Sequence, residues 1–266
     1  MNPCEVTART GWEIPAFRTY EFGERRSNHC VCIPVINEGM RLISQLKRIA
    51  ALNLAADVIV CDGGSIDGSN DPAILSSHGV RALLVKTGPG KLSAQLRILF
   101  AYAIEQGYTG MVMIDGNGKD GVEAIPQFFS ALSAGFDFVQ GSRYLPGGSE
   151  ENTPLDRKLA SKLIHAPLLS MAAGFSYTDT TNGFRAFSRR FILDPKLQPF
   201  RSVFDTYNLH YYLSVMAPRL GYRVTELPVR RVYPASGPTP SKIGGLAGKL
   251  AILKLLLYTV MGRYKP

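Results

Sequence analysis

The sequence predicts an α/β protein built on a mainly parallel sheet flanked by helices, and two observations predict it. Short apolar runs alternate with helix-length stretches through the first half of the 266 residues. Those runs end in polar, glycine-bearing turns, at the strand edge where open α/β sheets hold their ligands.

Strands are expected at 29–36, 57–61, 80–85, 110–114 and 136–139, and helices at 39–52, 72–77, 91–106 and 122–134. This β-α-β-α rhythm implies parallel strands with helices on the sheet faces and chemistry in the short loops. A less regular region follows, with a helix expected at 155–173, a turn and strand at 182–187, a helix at 203–216 and a strand at 222–232. The Pro/Gly/Ser-rich stretch 234–241 reads as a loop. Residues 246–261 are mostly apolar but carry Lys249 and Lys254, with Arg263 and Lys265 beyond. That segment is too short and too charged to span a bilayer, which takes about 20 apolar residues. It reads as an amphipathic helix lying on an anionic membrane surface, or as a helix packed on the protein's own core. The organisation expected is an N-terminal extension at 1–28, one catalytic domain at 29–245 and the C-terminal helix at 246–266.

With 45% hydrophobic residues the chain can bury a sizeable core. Thirty Lys and Arg against 21 Asp and Glu give a formal charge of +9, which favours polyanionic partners such as diphosphates or acidic lipid. The basic residues are scattered doublets (Arg25-Arg26, Arg189-Arg190, Arg230-Arg231) without an interleaved aromatic platform, which argues against nucleic acid. Cys4, Cys30, Cys32 and Cys61 form no CxxC or Cys/His cluster. Cys30, Cys32 and Cys61 fall in strand-like runs and read as buried free thiols of a reducing compartment. No apolar signal segment opens the sequence, so a cytoplasmic protein is expected.

Three polar turns carry the chemistry. The first strand ends Ile33-Pro34-Val35-Ile36-Asn37-Glu38-Gly39, and the second ends Cys61-Asp62-Gly63-Gly64-Ser65-Ile66-Asp67-Gly68-Ser69. A third run delivers Asp115 into Asp115-Gly116-Asn117-Gly118-Lys119-Asp120. Each turn alone has a plainer reading as a helix start or cap; their succession on one sheet edge points to a ligand site.

These motifs resemble the inverting family-2 glycosyltransferases of GT-A (Rossmann-like) fold, most closely the dolichol-phosphate mannosyltransferase and polyprenyl-phosphate glycosyltransferase group. The resemblance covers roughly residues 29–245. It implies that Pro34, Ile36, Asn37, Glu38, Asp62, Ser65 and Asp67 hold the nucleoside of a nucleotide-diphosphate sugar. The family's metal-binding acid-x-acid element is similar to Asp115-Gly116-Asn117, with Lys119 where a further ligand often stands. Asp115 and Asn117 would then hold Mg²⁺ or Mn²⁺. Gly141-Ser142-Arg143-Tyr144 and the segment Arg157–Ser161 resemble the acceptor side, which implies that Arg143 and Arg157 clamp a polyprenyl phosphate. Asp179–Phe187, Glu226–Val229 and Ser241-Lys242-Ile243-Gly244 match further segments. Lys242 would meet the donor diphosphate, and Arg231 stands near the position of a family arginine.

Physical logic agrees with the resemblance. A leaving diphosphate gains charge that a divalent ion or Lys and Arg must stabilise. Lys119 would either repel a metal or itself neutralise the diphosphate. An anionic phosphate acceptor attacks without a dedicated base, and the forked donors of arginine suit a phosphate. The expected activity is hexose transfer to a polyprenyl phosphate by an enzyme peripheral on the cytoplasmic face of a membrane, bound to anionic lipid or a small membrane subunit. The alternatives are a polysaccharide transferase with a hydroxyl acceptor and Asp179 as base, or a non-catalytic nucleotide-sugar-binding protein. Plainer readings apply elsewhere. Lys91 reads as a solvated helix-start lysine, and Arg143 and Arg157 also suit surface ion pairs. His29, His78, His165 and His210 read as structural or exposed, and Tyr211-Tyr212 as core aromatics.

Overall fold

A computed structural model of the protein describes residues 11–235 and 245–266. Its elements run β1 (Phe17–Glu21), β2 (His29–Val35), α1 (Met40–Ala51), β3 (Asp57–Asp62), α2 (Pro72–Ser77), β4 (Val80–Lys86), α3 (Leu92–Glu105) and β5 (Gly110–Met113). A 3₁₀ turn at Val122–Ala124 leads into α4 (Ile125–Ser133), followed by β6 (Phe138–Ser142) and β7 (Ser149–Glu151). Then come α5 (Leu155–Ala160), a π turn at Ser161–His165 and α6 (Ala166–Ala173). The remainder is β8 (Arg185–Ser188), α7 (Arg189–Ile192), α8 (Asn208–Arg219), β9 (Val224–Pro228), β10 (Arg230–Val232) and α9 (Gly245–Val260).

Among the described residues the main sheet has the order β1-β4-β3-β2-β5-β8-β6-β9, and β10 pairs with β7 apart from it. β4, β3, β2 and β5 pair in parallel, as do β6 and β9, while β1 and β8 run antiparallel to their neighbours. The expected mainly parallel sheet is therefore present, with a right-hand half attached through β8.

Both faces of the sheet are covered, which is why β2 and β3 are continuous apolar runs. Alternation along β2 sends Cys30 and Cys32 into one core with Leu96, Phe100 and Ile104 of α3, and Val31, Ile33 and Val35 into the other with Leu42, Leu46 and Ile49 of α1. Helix α1 buries Leu42, Leu46 and Ile49 on one stripe, whereas α3 is buried on every side from Ser93 to Ile104 between the sheet and α8. Each fully buried Leu or Phe here contributes about 1.5–3 kcal/mol. The thiols of Cys30, Cys32 and Cys61 are free and buried; Cys4 lies outside the described residues.

Several sequence expectations are corrected. Part of the stretch read as an N-terminal extension, Phe17–Glu21, is the antiparallel edge strand β1, registered from Phe17 against Lys86 to Glu21 against Ala82. Its short, partly exposed pattern carries no apolar run to betray it. The strand expected at 222–232 is broken after Pro228: β9 follows β6, and β10 leaves for β7. The helix expected from 203 starts at Asn208, and β6 runs through Gly141-Ser142, beyond the strand expected at 136–139.

Helix α9 buries Leu256 against Leu169 and Ala172 of α6 and Tyr211 and Val215 of α8, yet leaves Leu250 and Leu257 exposed. It is thus both packed on the core and apolar toward solvent. No helix among the described residues is long and apolar enough to cross a membrane.

Candidate active site

The C-terminal ends of β2, β3 and β5 deliver their turns to one cavity of about 430 Å³, within the range of small-molecule sites. Of the residues singled out in the sequence, Pro34, Ile36, Glu38, Asp115, Gly116, Asn117, Lys119, Arg157 and Arg231 line it. Lys91, read as a solvated helix-start residue, lines it too.

The turn after β2 is braced by the turn after β3. Asn37 sits at φ 52°, and its N–H donates to Ser65 Oγ at 2.8 Å while its Oδ1 accepts from the Ile66 N–H at 2.8 Å. Ser69 Oγ accepts from the N–H groups of Glu38 (3.0 Å) and Gly39 (2.7 Å) and donates to Asp67 Oδ1. Asp62 is fully buried and accepts from the N–H groups of Gly64 and Ser65. Asn37, Asp62, Ser65 and Asp67 therefore do not line the cavity; their hydrogen bonds are spent shaping the turns that do. Gln95 from α3 ties β2 and β3 by donating to the carbonyls of Val35 (2.8 Å) and Cys61 (2.7 Å).

The loop after β5 lies tight against its neighbours. A Cβ on Gly116 would overlap Val35, and one on Gly183 would come within 2.5 Å of Asp115 Oδ1. These glycines let the loop and the segment before β8 close around the carboxylate. Arg231, from β10, lies 3.2 Å from Asp115 Oδ2 through Nη2 and 2.5 Å from Asp120 Oδ2 through Nη1. Asn117 Nδ2 also donates to Asp115 Oδ2 at 3.3 Å. Burial would raise the Asp115 carboxyl, but Arg231 and Lys119 hold it below the usual carboxylate range. Burial and Arg231 lower the Lys119 ammonium, whose Nζ lies 4.8 Å from the centre of the Tyr233 ring. Carboxylates and cations are interleaved on one cavity wall.

Mg²⁺ or Mn²⁺ would find the Asp115 carboxylate here, while the Asn117 amide turns its Nδ2 to that carboxylate and its Oδ1 accepts from the Lys119 N–H at 3.2 Å. The described residues contain no group of three or more His, Cys, Asp and Glu suited to a metal. The donor set fits a hard cation that shares its shell with substrate phosphate oxygens, the ordinary mode for Mg²⁺, and does not form a cage of protein ligands.

The two acceptor-side arginines part company. Arg157 lines the cavity from α5. Arg143 is buried off the cavity: Nε donates to Asp179 Oδ2 at 2.7 Å, Nη2 to Asp179 Oδ1 at 3.0 Å, and Nη2 also to Thr181 Oγ1 at 2.7 Å. Burial would raise the Asp179 carboxyl, but Arg143 holds it below its ordinary value. A carboxylate so occupied is a poor general base. Lys242 lies outside the described residues.

No protein-family model matches the chain. It is 28% identical over 236 residues to polyprenol monophosphomannose synthase of Mycolicibacterium smegmatis, covering 88% of this chain and 87% of that protein. It is 30% identical over 226 residues to undecaprenyl-phosphate mannosyltransferase of Micrococcus luteus, covering 83% of this chain and 89% of that protein. The chain belongs to the polyprenyl-phosphate glycosyltransferase family. The fold of this transferase is GT-A: glucosyl-3-phosphoglycerate synthase from Mycobacterium tuberculosis, solved with Mn²⁺, UDP and phosphoglyceric acid, superposes with a TM-score of 0.64 at 18% identity, over 91% of this chain and 80% of that one.

The transferase also places at the cavity residues that carry no role in the sequence reading, two of them inside the matched Asp179–Phe187 segment. Thr180, Asn182, Tyr207 and His210 line that cavity. His210 was read as structural or exposed; it is buried on α8, and both ring nitrogens lack a hydrogen-bond partner among the described residues. Burial and the nearby Arg185 push its pKa down to about 3, so the imidazole is neutral. Thr180 Oγ1 and Asn182 Nδ2 are likewise buried without partners. An unsatisfied buried polar group costs about 1–3 kcal/mol. A single histidine with no spaced partner gives no signal in sequence.

Proposed function

We propose that this transferase moves a hexose from a nucleotide-diphosphate sugar to a polyprenyl phosphate with inversion at the sugar carbon. The observation that carries this reading is the cavity wall on which Asp115, Lys119 and Arg231 meet, with Arg157 on the same cavity. The relatives named above act on polyprenol and undecaprenyl phosphates, and that supports the acceptor class.

In this reading the turns after β2 and β3, rigidified by Asn37, Asp62, Ser65 and Asp67, seat the nucleoside. Lys119 and Arg231 face the diphosphate and offset the charge that grows on it as the bond to the sugar C1 breaks. Asp115 would hold a divalent ion, which would supply further positive charge to the diphosphate oxygens. Arg157 orients the lipid phosphate, whose anionic oxygen forms the new bond to C1. No proton need be removed from the acceptor, which agrees with the absence of an available carboxylate at Asp179. Arg143 acts through Asp179, which also accepts from the Thr181 N–H at 3.0 Å beside the cavity.

Lipid access is supported by the surface next to Arg157. Leu155, Leu159, Leu163 and Met171 on the α5–α6 segment and Leu250, Leu257 and Met261 around α9 are exposed, with Lys158, Lys162, Lys249 and Lys254 among them. Apolar side chains ringed by lysines suit the headgroup region of an anionic cytoplasmic leaflet. Lys249 also bonds Asp156 at 2.6 Å, joining α9 to α5 as one surface.

The test is a panel of nucleotide sugars incubated with short polyprenyl phosphates, with and without a chelator. Transfer of a hexose to the lipid phosphate is expected; transfer only to hydroxyl acceptors would overturn the reading.

A further inference from the structure

The Asp115 carboxylate comes to the cavity already partnered. Its Oδ2 accepts from Arg231 Nη2 at 3.2 Å and from Asn117 Nδ2 at 3.3 Å, so two donors converge on one oxygen. Oδ1, packed beside Gly183, is the carboxylate oxygen without a donor among the described residues. The Asn117 amide is held with its N–H toward Asp115, because its own Oδ1 accepts from the Lys119 N–H at 3.2 Å. A hard cation takes oxygen ligands, and at this position it meets an N–H instead.

The charge on this wall is balanced by the protein itself. Arg231 Nη1 pairs with Asp120 Oδ2 at 2.5 Å, and Asp120 is fully buried, so the guanidinium is fixed from both sides. Lys119 lies within electrostatic reach of Arg231, Asp115 and Asp120. Two carboxylates therefore stand against two cations before any ligand arrives. A bare divalent ion would find one carboxylate oxygen beside two fixed positive charges, whereas Mg²⁺ gives up its water reluctantly and ordinarily needs phosphate oxygens as well. A diphosphate meets the opposite situation, since the cations it requires are already in place.

We propose that Arg231 is the resident cation of this site, with Lys119 beside it, and that donor binding and hexose transfer do not depend on a divalent ion. This rests on the nucleotide-sugar reading above. An ion that accompanies the diphosphate adds to the positive charge and is not a condition of binding. By linkage, a protein that takes metal-bound and metal-free diphosphate about equally adds nothing to the diphosphate's own affinity for the metal. Asp115 then acts as the carboxylate that holds Nη2 at the cavity wall. Asn117 and Lys119 are the residues that deny an ion its second protein oxygen and oppose its charge.

The test uses Mn²⁺, followed by its electron paramagnetic resonance signal, and calorimetry of GDP, UDP, ADP and CDP with Mg²⁺, with Mn²⁺ or with a chelator. Transfer from the matching nucleotide hexose to a short polyprenyl phosphate is measured under the same conditions. The wild type should leave the signal of free Mn²⁺ unchanged when no nucleotide is present. Its affinity for the preferred nucleotide should differ by less than about threefold between metal and chelator, and transfer should persist in the chelator. Asn117→Asp/Lys119→Gln supplies a second carboxylate and removes one opposing cation. That variant, checked for folding by thermal unfolding, should take up Mn²⁺ and bind the nucleotide about tenfold or more tighter with metal than without.

Wild-type protein that takes up Mn²⁺ alone, binds the nucleotide tenfold tighter with metal, or loses transfer on chelation would overturn the proposal; the tenfold mark is an approximate one, about the middle of ordinary coupling between sites. A folded Asn117→Asp/Lys119→Gln variant that stays indifferent to metal would overturn it too. If the wild type binds the nucleotide equally with and without metal but transfers no hexose to a lipid phosphate under any condition, the resident cation stands and the acceptor reading falls. If it binds no nucleotide at all, both fall.

Discussion

Arg231 and Asp115, 116 residues apart in sequence, meet with Nη2 3.2 Å from Oδ2. The same guanidinium binds Asp120 on its other side at 2.5 Å, so β10 supplies the cation that holds both ends of the Asp115 loop.

Asp115→Ala is expected to abolish transfer while the protein stays folded, because Asp120 still pairs with Arg231. Arg231→Met is expected to cost about 3–5 kcal/mol of stability, since it strands a fully buried Asp120 carboxylate. Denaturant unfolding of both variants, beside a transfer assay, checks the contrast; equal stability losses would contradict it.

Arg143 and Arg157 are expected to fail in different ways. Arg143→Met leaves Asp179 buried and unpaired and should cost about 3–5 kcal/mol, part of it recovered in the Arg143→Met/Asp179→Asn double variant. Arg157→Met should leave the unfolding midpoint nearly unchanged and raise the KM for polyprenyl phosphate about tenfold or more. A double-variant unfolding cycle and acceptor saturation curves distinguish the two.

Acid stability should carry a signature of His210. Its imidazole titrates near 6.5 when unfolded and at about 3 in the folded protein. The folded value is depressed, so the stability gained from the buried neutral ring is full above pH 6.5. It is lost progressively as pH falls toward 3, by a few kcal/mol in order of magnitude. His210→Phe should therefore show a flatter dependence of unfolding free energy on pH across that window. Parallel curves for the two proteins would contradict the buried neutral imidazole.

Charge placed on the exposed apolar surface should uncouple lipid binding from folding. Leu159→Glu/Leu163→Glu is expected to reduce sedimentation with vesicles rich in anionic lipid by about tenfold or more, with the unfolding temperature nearly unchanged. Donor affinity in solution should be retained. Unaltered sedimentation would place membrane contact elsewhere.

The left half of the fold was legible because apolar runs flanked by glycine turns are what a doubly covered parallel strand requires; β2, β3, β4 and β5 fall close to their expected places. β1 and β7 were not, since edge strands with exposed faces need no apolar run. At the site, the acids and glycines of the three turns announced themselves by order and spacing. Asn37, Asp62, Ser65 and Asp67 sit in turns that reach the cavity, but their hydrogen bonds brace those turns and leave the lining to their neighbours. His210 and Thr180 were invisible for a different reason. Their relevance depends on β8 and α8 being brought beside Asp115, and on the absence of partners for their polar atoms, which only coordinates reveal.

Strand β8 runs antiparallel between β5 and β6, hydrogen-bonded to both. It therefore welds the wall bearing Asp115 to the half that carries Arg143 and Arg157, at the middle of the sheet. On the proposed reading, the separation between the departing and attacking groups is therefore held by hydrogen-bonded strands. The residues just before β8, which include Thr180 and Asn182, hang from that weld as a loop. On the proposed reading, that loop can change by point substitution while the transfer geometry stays under the separate control of the sheet.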